Sequence, residues 1–141
     1  MKIAIGSDHA GFGLKSQIIS YLISRGEVVE DVGCYSPEPC DYPDFANLVC
    51  EHILEKRAEI GILICGTGIG MSICANRNVG VRAAICFNEY MAQKAKMHND
   101  ANVLVLGAKM LEPEAALSIV DSFLISKFEG GRHTVRLKKF N

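Results

Sequence analysis

Short apolar runs alternate with longer amphipathic stretches along the whole chain. The apolar runs predict five β-strands, at 2–6, 27–32, 60–65, 81–87 and 102–107. Between the strands, apolar residues recur every three or four positions, which is typical of helices that bury one face. The spacing is clearest in Leu14, Ile18 and Leu22, and Gly26 is the expected end of that helix.

Proline and glycine mark the expected ends of the other helices. Pro43 and Pro113 stand where two helices should begin, because proline suits the first helical turn. A short helix should follow the third strand and reach about Arg77, and another should cover about 89–97. The double glycine at 130–131 should end the last helix.

Strands that alternate with helices predict an α/β protein with a parallel sheet covered on both faces. We expect a three-layer α/β/α, Rossmann-like fold with a five-stranded parallel sheet, right-handed crossovers and a strand order that begins 2-1-3. Residues 1–141 should form a single domain. Its end, about 130–141, is a basic tail outside the alternation.

Composition narrows the class of protein. Hydrophobic residues make up 49% of the chain, charged residues 22%, and the formal net charge is −1. These values are typical of a globular protein and argue against a generally basic nucleic-acid binder. No apolar run is long enough to span a bilayer, and the amino terminus does not resemble a signal peptide. We therefore expect a cytoplasmic protein whose six cysteines are reduced, without the C-x-x-C pairs of a zinc site.

Three polar segments flank the predicted strands: SDHAG at 7–11, CGTGIG at 65–70 and HNDAN at 98–102. Parallel sheets bind ligands at the carboxyl ends of their strands, near the point where the strand order reverses. Asp8 and His9 should lie there, and we expect the segment with His98 and Asn99 to lie near the same sheet edge as Cys65. Together these residues suggest one site.

The glycine turn after the third strand fits none of the common phosphate motifs. A P-loop needs a lysine that is missing before Ser72, and a phosphatase loop needs an arginine at the position of Met71. A dinucleotide fingerprint needs a further glycine where Met71 or Ile73 stands. The remaining interpretation is that the backbone N–H groups stabilise an oxyanion beside the thiol of Cys65.

A thiol at a helix start is a candidate nucleophile or general base, because the positive helix end favours the thiolate. The alternative is that Cys65 is a small buried residue at a strand end, where free cysteine often lies. The two other polar segments favour the functional interpretation. Near the carboxyl terminus, Arg132 and Arg136 are four residues apart and could clamp a phosphate, although charged runs usually form a solvated face.

The chain resembles the ribose-5-phosphate isomerase B family, which also contains galactose-6-phosphate isomerase subunits and allose-6-phosphate isomerases. The resemblance covers nearly the whole chain and follows the order of its motifs. They are GSDHAG at 6–11, DYPD at 41–44, ILICGTGIGMSICANR at 62–77, HNDANVLVLG at 98–107 and EGGRH at 129–133.

The resemblance implies an aldose–ketose isomerase that works through a cis-enediolate without a metal or organic cofactor. Cys65 would move a proton between the two carbons, and His98 would open the furanose ring. Thr67 would hold the enediolate oxygens together with Gly66, Gly68, Ile69 and Gly70.

The resemblance also implies the binding residues. Asp8 and Asn99 would bind sugar hydroxyls, and the phosphate would be held by His9, Arg132 and Arg136. Many relatives have arginine where this chain has Lys109, and lysine pairs with phosphate as a point charge and not as a fork. Family members are homodimers or homotetramers with sites between subunits.

The expected reaction is therefore the interconversion of D-ribose 5-phosphate and D-ribulose 5-phosphate. Within the family, the alternative is a six-carbon sugar phosphate of allose or galactose. From another class, Asp8, His9, His98 and Asp100 could be the metal ligands of a hydrolase. A phosphate-sensing domain with a merely structural thiol is the non-enzymatic alternative.

Overall fold

The computed structural model describes residues 1–140 and contains one sheet with helices on both faces. The strands are Lys2–Ser7 (β1), Val28–Asp31 (β2), Ile60–Cys65 (β3), Ala83–Ile85 (β4) and Val103–Gly107 (β5). The helices are Phe12–Ser24 (α1), Tyr42–Leu54 (α2), Ile69–Ala75 (α3), Glu89–Asn99 (α4), Pro113–Ile125 (α5) and Arg132–Leu137 (α6). Every strand pair is parallel and the order is β2-β1-β3-β5-β4, which confirms the predicted Rossmann-like sheet and its 2-1-3 beginning.

Alternate residues of each central strand fill two separate cores. In β3, Ile62 and Ile64 face a core shared with α1, α4 and α5. Leu63 and Cys65 face the opposite core, which α2 and α3 complete. Because both faces are covered, the central strands read as continuous apolar runs in the sequence. Over the described part of the chain, no helix combines the length and the apolar character needed to cross a membrane.

The strand order reverses at the middle of the sheet. β1 pairs with β2 on one side and with β3 on the other, so the chain leaves β1 and β3 at a topological switch point. Ser7 pairs with Ile64, and Cys65 pairs with Gly107 at the end of β5. The loops after these three strands therefore start side by side.

The helix before β5 is longer than predicted, and this changes the position of the HNDAN segment. The sequence predicted an end near 97, whereas α4 continues through His98 and Asn99. It ends at Asp100, which has a left-handed backbone with φ of 45°. The following N–H groups fold back, and Ala101 N donates to the carbonyl of Ala95 over 3.0 Å. The end of α4 thus leads directly into the amino end of β5.

The expectation that this segment shares the sheet edge of Cys65 is wrong for a single chain. A residue that precedes a parallel strand lies at its amino end, opposite the carboxyl ends where ligands bind. Gly61 and Val103 pair at the amino edge, and Cys65 and Gly107 pair at the carboxyl edge. The two pairs are four residues apart along each strand, which corresponds to about 13 Å.

The carboxyl-terminal segment is more ordered than a free tail. α5 ends at Ile125, before the double glycine, because Ser126 already has an extended backbone. The segment after it forms α6, which packs against α4 and buries His133 and Leu137. Asn141, the last residue of the predicted basic tail, lies outside the described residues.

The predicted fourth strand is also shorter in the structure. β4 covers only 83–85 of the predicted 81–87, because turn hydrogen bonds hold its start. Val81 N–H donates to Asn78 O over 3.0 Å, and Arg82 N–H donates to the side-chain oxygen of Asn102 over 2.8 Å. β4 lies at the edge of the sheet and pairs with β5 alone among the described residues, so no second strand is present to lengthen its ladder.

Candidate active site

The thiol of Cys65 lies where β3 ends and the glycine turn begins. The residue is buried, with 5% of its surface exposed. The turn bends back through Gly68, whose φ of +84° suits glycine, so that its N–H donates to Cys65 Sγ over 3.2 Å. A hydrogen-bond donor aimed at sulfur stabilises negative charge there, as a thiol that acts as a nucleophile or a base would require.

The end of β5 holds the glycine turn in place. Ala108 N–H donates to the carbonyl of Cys65 over 2.8 Å, and Lys109 N–H donates to that of Gly66 over 2.9 Å. Gly107 approaches the turn so closely that a Cβ there would lie 2.5 Å from the carbonyl oxygen of Thr67. The side-chain oxygen of Thr67 accepts the N–H of Ile69 over 3.2 Å, which leaves its hydroxyl proton available to a ligand.

Gly107→Ala should displace Thr67 and lower kcat about tenfold to hundredfold, because a misplacement of about 1 Å has effects of that size. The steady-state rate and the melting temperature should be measured together. Gly13→Ala is the matched control, since a Cβ at Gly13 meets nothing within 4 Å. Unchanged turnover in a folded Gly107→Ala protein would show that the turn tolerates this shift.

The loop after β1 brings a carboxylate and an imidazole to the same place. Asp8 is 7% exposed, and one of its oxygens accepts the N–H of Gly11 over 3.1 Å at the start of α1. His9 Nδ1 accepts the N–H of Cys40 over 3.1 Å. Because a backbone N–H can only donate, the proton of neutral His9 must be on Nε2, which then serves as a donor.

These elements surround an open cleft of about 570 Å³ at the carboxyl edge of the sheet. Most of the predicted site residues line it: Asp8, His9, Cys65, Gly66, Thr67, Ile69, Gly70 and Lys109. Gly68 lies directly behind the thiol as its hydrogen-bond donor. Three separate strand ends therefore deliver the polar groups of one cleft.

Tyr42 is a lining residue to which sequence reasoning gave no role. It is the first residue of α2, and a Cβ at Gly70 would lie 2.5 Å from its ring, so the ring rests directly on the glycine turn. The DYPD motif at 41–44 contained this residue, but local sequence does not tell which strand end a helix start will contact.

In the described part of the chain, residues 1–140, the remaining predicted residues lie away from this cleft. Asn99 lines a second cavity of about 530 Å³ near the amino end of β4. His98 stacks on His133, with ring centroids 4.2 Å apart, in the region of α6 that carries Arg132 and Arg136. The hydrolase ligand set from the sequence is therefore divided between two sheet edges in a single chain.

The other thiols differ from Cys65 in their surroundings. Burial raises the pKa of Cys50 to about 11 and that of Cys86 to about 12, so both stay protonated at neutral pH. Burial also raises the pKa of Cys40, and the neighbouring Cys34 acts in the same direction. All six cysteines lie within the described residues and are free thiols.

A known protein family and its relatives match nearly the whole chain. The family model described as Ribose/Galactose Isomerase matches residues 3–140. Ribose-5-phosphate isomerase B of Escherichia coli is 46% identical over 137 residues, which cover 97% of this chain and 92% of that protein.

Solved structures are similar over nearly the whole chain. A ribose 5-phosphate isomerase from Thermotoga maritima has a TM-score of 0.97 and 53% identity, covering 98% of this chain and 95% of its own. Ribose-5-phosphate isomerase B from Mycoplasma genitalium, solved with bound ribulose-5-phosphate, has a TM-score of 0.94 and 42% identity. The match covers 98% of this chain and 92% of that chain.

Proposed function

Because the chain belongs to the ribose/galactose isomerase family, we propose that it interconverts D-ribose 5-phosphate and D-ribulose 5-phosphate with Cys65 as the base. The relatives named for ribose 5-phosphate support the reaction and the substrate. The observation that carries the residue assignment is the hydrogen bond from Gly68 N–H to Cys65 Sγ, inside a cleft with polar groups from three strand ends.

The chemistry needs a base for a proton on the carbon next to a carbonyl. Cys65 takes the proton from C2 of the open-chain aldose, and the electron pair forms the C1–C2 double bond of the enediolate. The same sulfur returns the proton to C1, while a hydroxyl proton passes from O2 to O1. We assign assistance of this second transfer to the hydroxyl of Thr67. A positioned base contributes roughly 10²–10⁴ in rate, and each donor to the developing oxyanion about 3 kcal/mol.

The phosphate is remote from the reacting carbons, and its binding holds the linear sugar in place. His9, through Nε2–H, and Lys109 line the cleft and are the groups proposed to bind the phosphate there. One carboxylate oxygen of Asp8 accepts the N–H of Gly11, and the other is proposed to accept a sugar hydroxyl. Arg132 and Arg136 add guanidinium forks, which suit phosphate geometry.

We infer that the two arginines, His98 and Asn99 join this site from a second subunit. In one chain His98 and Asn99 precede the amino end of β5, and that edge of the sheet is separated from Cys65 by about 13 Å of strand. The helix that carries both arginines, α6, packs against α4 beside His98. We therefore propose a homodimer, alone or within a homotetramer, in which each subunit completes the other's site. Exposed apolar side chains beside the cleft support this proposal: Ile69 is 56% and Ile73 62% exposed. A cytoplasmic location is proposed as well, because the mechanism needs a reduced thiol.

The substrate is tested by comparing kcat/KM for the phosphates of ribose, allose and galactose in the presence of EDTA. The proposal requires ribose 5-phosphate to be the preferred substrate and EDTA to have no effect. Preference for allose or galactose 6-phosphate would support the six-carbon alternative. Loss of activity in EDTA would support a metal-dependent reaction. Absence of turnover with every sugar phosphate would support the alternative of a non-enzymatic, phosphate-sensing domain.

His98→Asn should lower kcat from ribose 5-phosphate more than kcat from ribulose 5-phosphate. Ribose 5-phosphate must open a furanose ring before proton transfer, whereas ribulose 5-phosphate cannot form one. Forward and reverse kcat are measured separately, because the overall equilibrium ties the two values of kcat/KM together. Gln93→Asn, on the exposed side of α4, is the control for effects on the helix. Equal losses of kcat in both directions would contradict a role in ring opening.

A further inference from the structure

Three side chains meet where α4 ends and α6 begins. His98 is in the last turn of α4, with its side chain one-third exposed. Glu129 precedes α6, and its N–H donates to the carbonyl of Met97 over 3.0 Å, which ties this segment to the end of α4. His133, inside α6, is 4% exposed. We call these three residues the 98/129/133 cluster.

The two imidazole rings of the cluster are stacked, with centroids 4.2 Å apart and planes inclined by 14°. Both Nε2 atoms lie within ion-pair distance of the same carboxylate oxygen of Glu129, which is 3.5 Å from His98 and 3.4 Å from His133. The ligand atoms of the three side chains lie within 4.8 Å of one another, so their types and spacing could hold a metal ion. However, imidazole binds a metal within its ring plane, and nearly parallel planes cannot share one nearby ion. The stacked rings therefore argue against a shared metal ion. They favour a structural role, in which one imidazole ring holds the other in place.

The surroundings of His133 keep its ring uncharged. Burial lowers the pKa of His133, and the positive charges of Arg132, His98 and Arg136 act in the same direction against the opposing effect of Glu129. His133 is therefore neutral at neutral pH. Its Nε2 is buried and has no hydrogen-bond partner among the described residues. An uncharged, buried ring is a suitable platform for the face of a second ring that gains and loses a proton.

We propose that Glu129 and His133 are positioning residues for His98. Glu129 fixes the proton of His98 on Nε2, because a carboxylate only accepts, and His133 fixes the plane of the ring. Nδ1 of His98 is then the atom that faces the sugar. It takes the proton of the anomeric hydroxyl while the bond from C1 to the ring oxygen breaks, and it returns that proton to the ring oxygen. The proposal rests on the ring-opening role proposed for His98.

Glu129→Gln keeps the size of the side chain and removes its charge. We expect kcat from ribose 5-phosphate to fall about tenfold to hundredfold, with a smaller loss from ribulose 5-phosphate. Glu55→Gln is the matched control, because Glu55 is an exposed carboxylate that forms an ion pair with Arg57, two residues away, and it should retain activity. Turnover from ribose 5-phosphate that is the same in Glu129→Gln and in the control would overturn the role of Glu129.

A double-mutant cycle tests whether Glu129 acts through His98. In a His98→Asn background, Glu129→Gln should have no additional effect on kcat. Additive losses would mean that Glu129 acts by another route and would reject the proposal. If His98→Asn alone does not slow ring opening, the proposed function of His98 fails first, and this outcome is distinct from a failure of Glu129→Gln alone.

Nitrogen-15 spectra of histidine-labelled enzyme report the tautomer directly, independently of turnover. His98, assigned by its loss in His98→Asn, should carry its proton on Nε2 in the wild type and become a mixture of tautomers in Glu129→Gln. An unchanged spectrum would overturn the proposal. His133→Phe preserves a stacking ring and should retain more kcat than His133→Ala, whereas equal losses in two folded variants would reject the platform role of His133.

Discussion

Cys65→Ala should fold and bind sugar phosphate, yet lose roughly two to four orders of magnitude in kcat. Under the proposed mechanism the thiol moves the proton between C1 and C2, whereas the glycine turn and the proposed phosphate-binding groups remain intact in this variant. The decisive measurement is kcat in both directions together with the affinity for a competitive inhibitor. Near-normal turnover would reject Cys65 as the base.

The control for this variant is Cys74→Ala, which changes a partly buried thiol that contacts Asn47 and not the cleft. Alkylation offers a second test of the same assignment. The reagent should inactivate the enzyme by labelling Cys65, and substrate should slow the reaction. Cys50 and Cys86 should stay unlabelled, because burial raises their pKa to about 11 and about 12. Inactivation through a label on Cys34 or Cys40 would contradict the assignment.

Two nearly inactive variants should restore activity when their subunits are exchanged. One chain carries Cys65→Ala, and the other carries Arg132→Ala with Arg136→Ala. In a heterodimer, one site would contain both defects and the other site none. Random exchange of equal amounts should therefore restore about a quarter of the wild-type sites. The measurement is specific activity after exchange, with the composition of the dimers confirmed by mass spectrometry.

The control for subunit exchange pairs Cys65→Ala with Thr67→Ala. Both changes lie at the carboxyl edge of the sheet, so a heterodimer would have a defect in each site and should recover no activity. If the arginine pair also fails to recover after confirmed exchange, Arg132 and Arg136 serve their own subunit or no site at all.

The sequence predicted the site best where its residues are consecutive in the chain. Cys65 and the turn after it occupy a few consecutive residues, so the end of an apolar run and the glycine spacing predicted both the strand end and its bend. The parallel sheet followed from the alternation of strands and helices, and its 2-1-3 beginning was confirmed.

The position of His98 could not be predicted in the same way. Its segment is polar and lies beside a strand, but it precedes β5 and does not follow it, so it belongs to the opposite sheet edge. The spacing of residues cannot show which subunit completes a site. Contacts such as that of His98 with Glu129 depend on the packing of α6 against α4, which a basic tail without a long apolar pattern did not predict.

The separation of Cys65 from His98 along β5 has a consequence for the behaviour of the enzyme in dilute solution. Under the proposed arrangement, each chain carries two half-sites at opposite edges of its sheet, and neither half can turn over substrate alone. Dissociation of the dimer would then remove catalysis without unfolding any domain. The active fraction would follow mass action, so that the concentration of the protein itself becomes one of the controls on its rate.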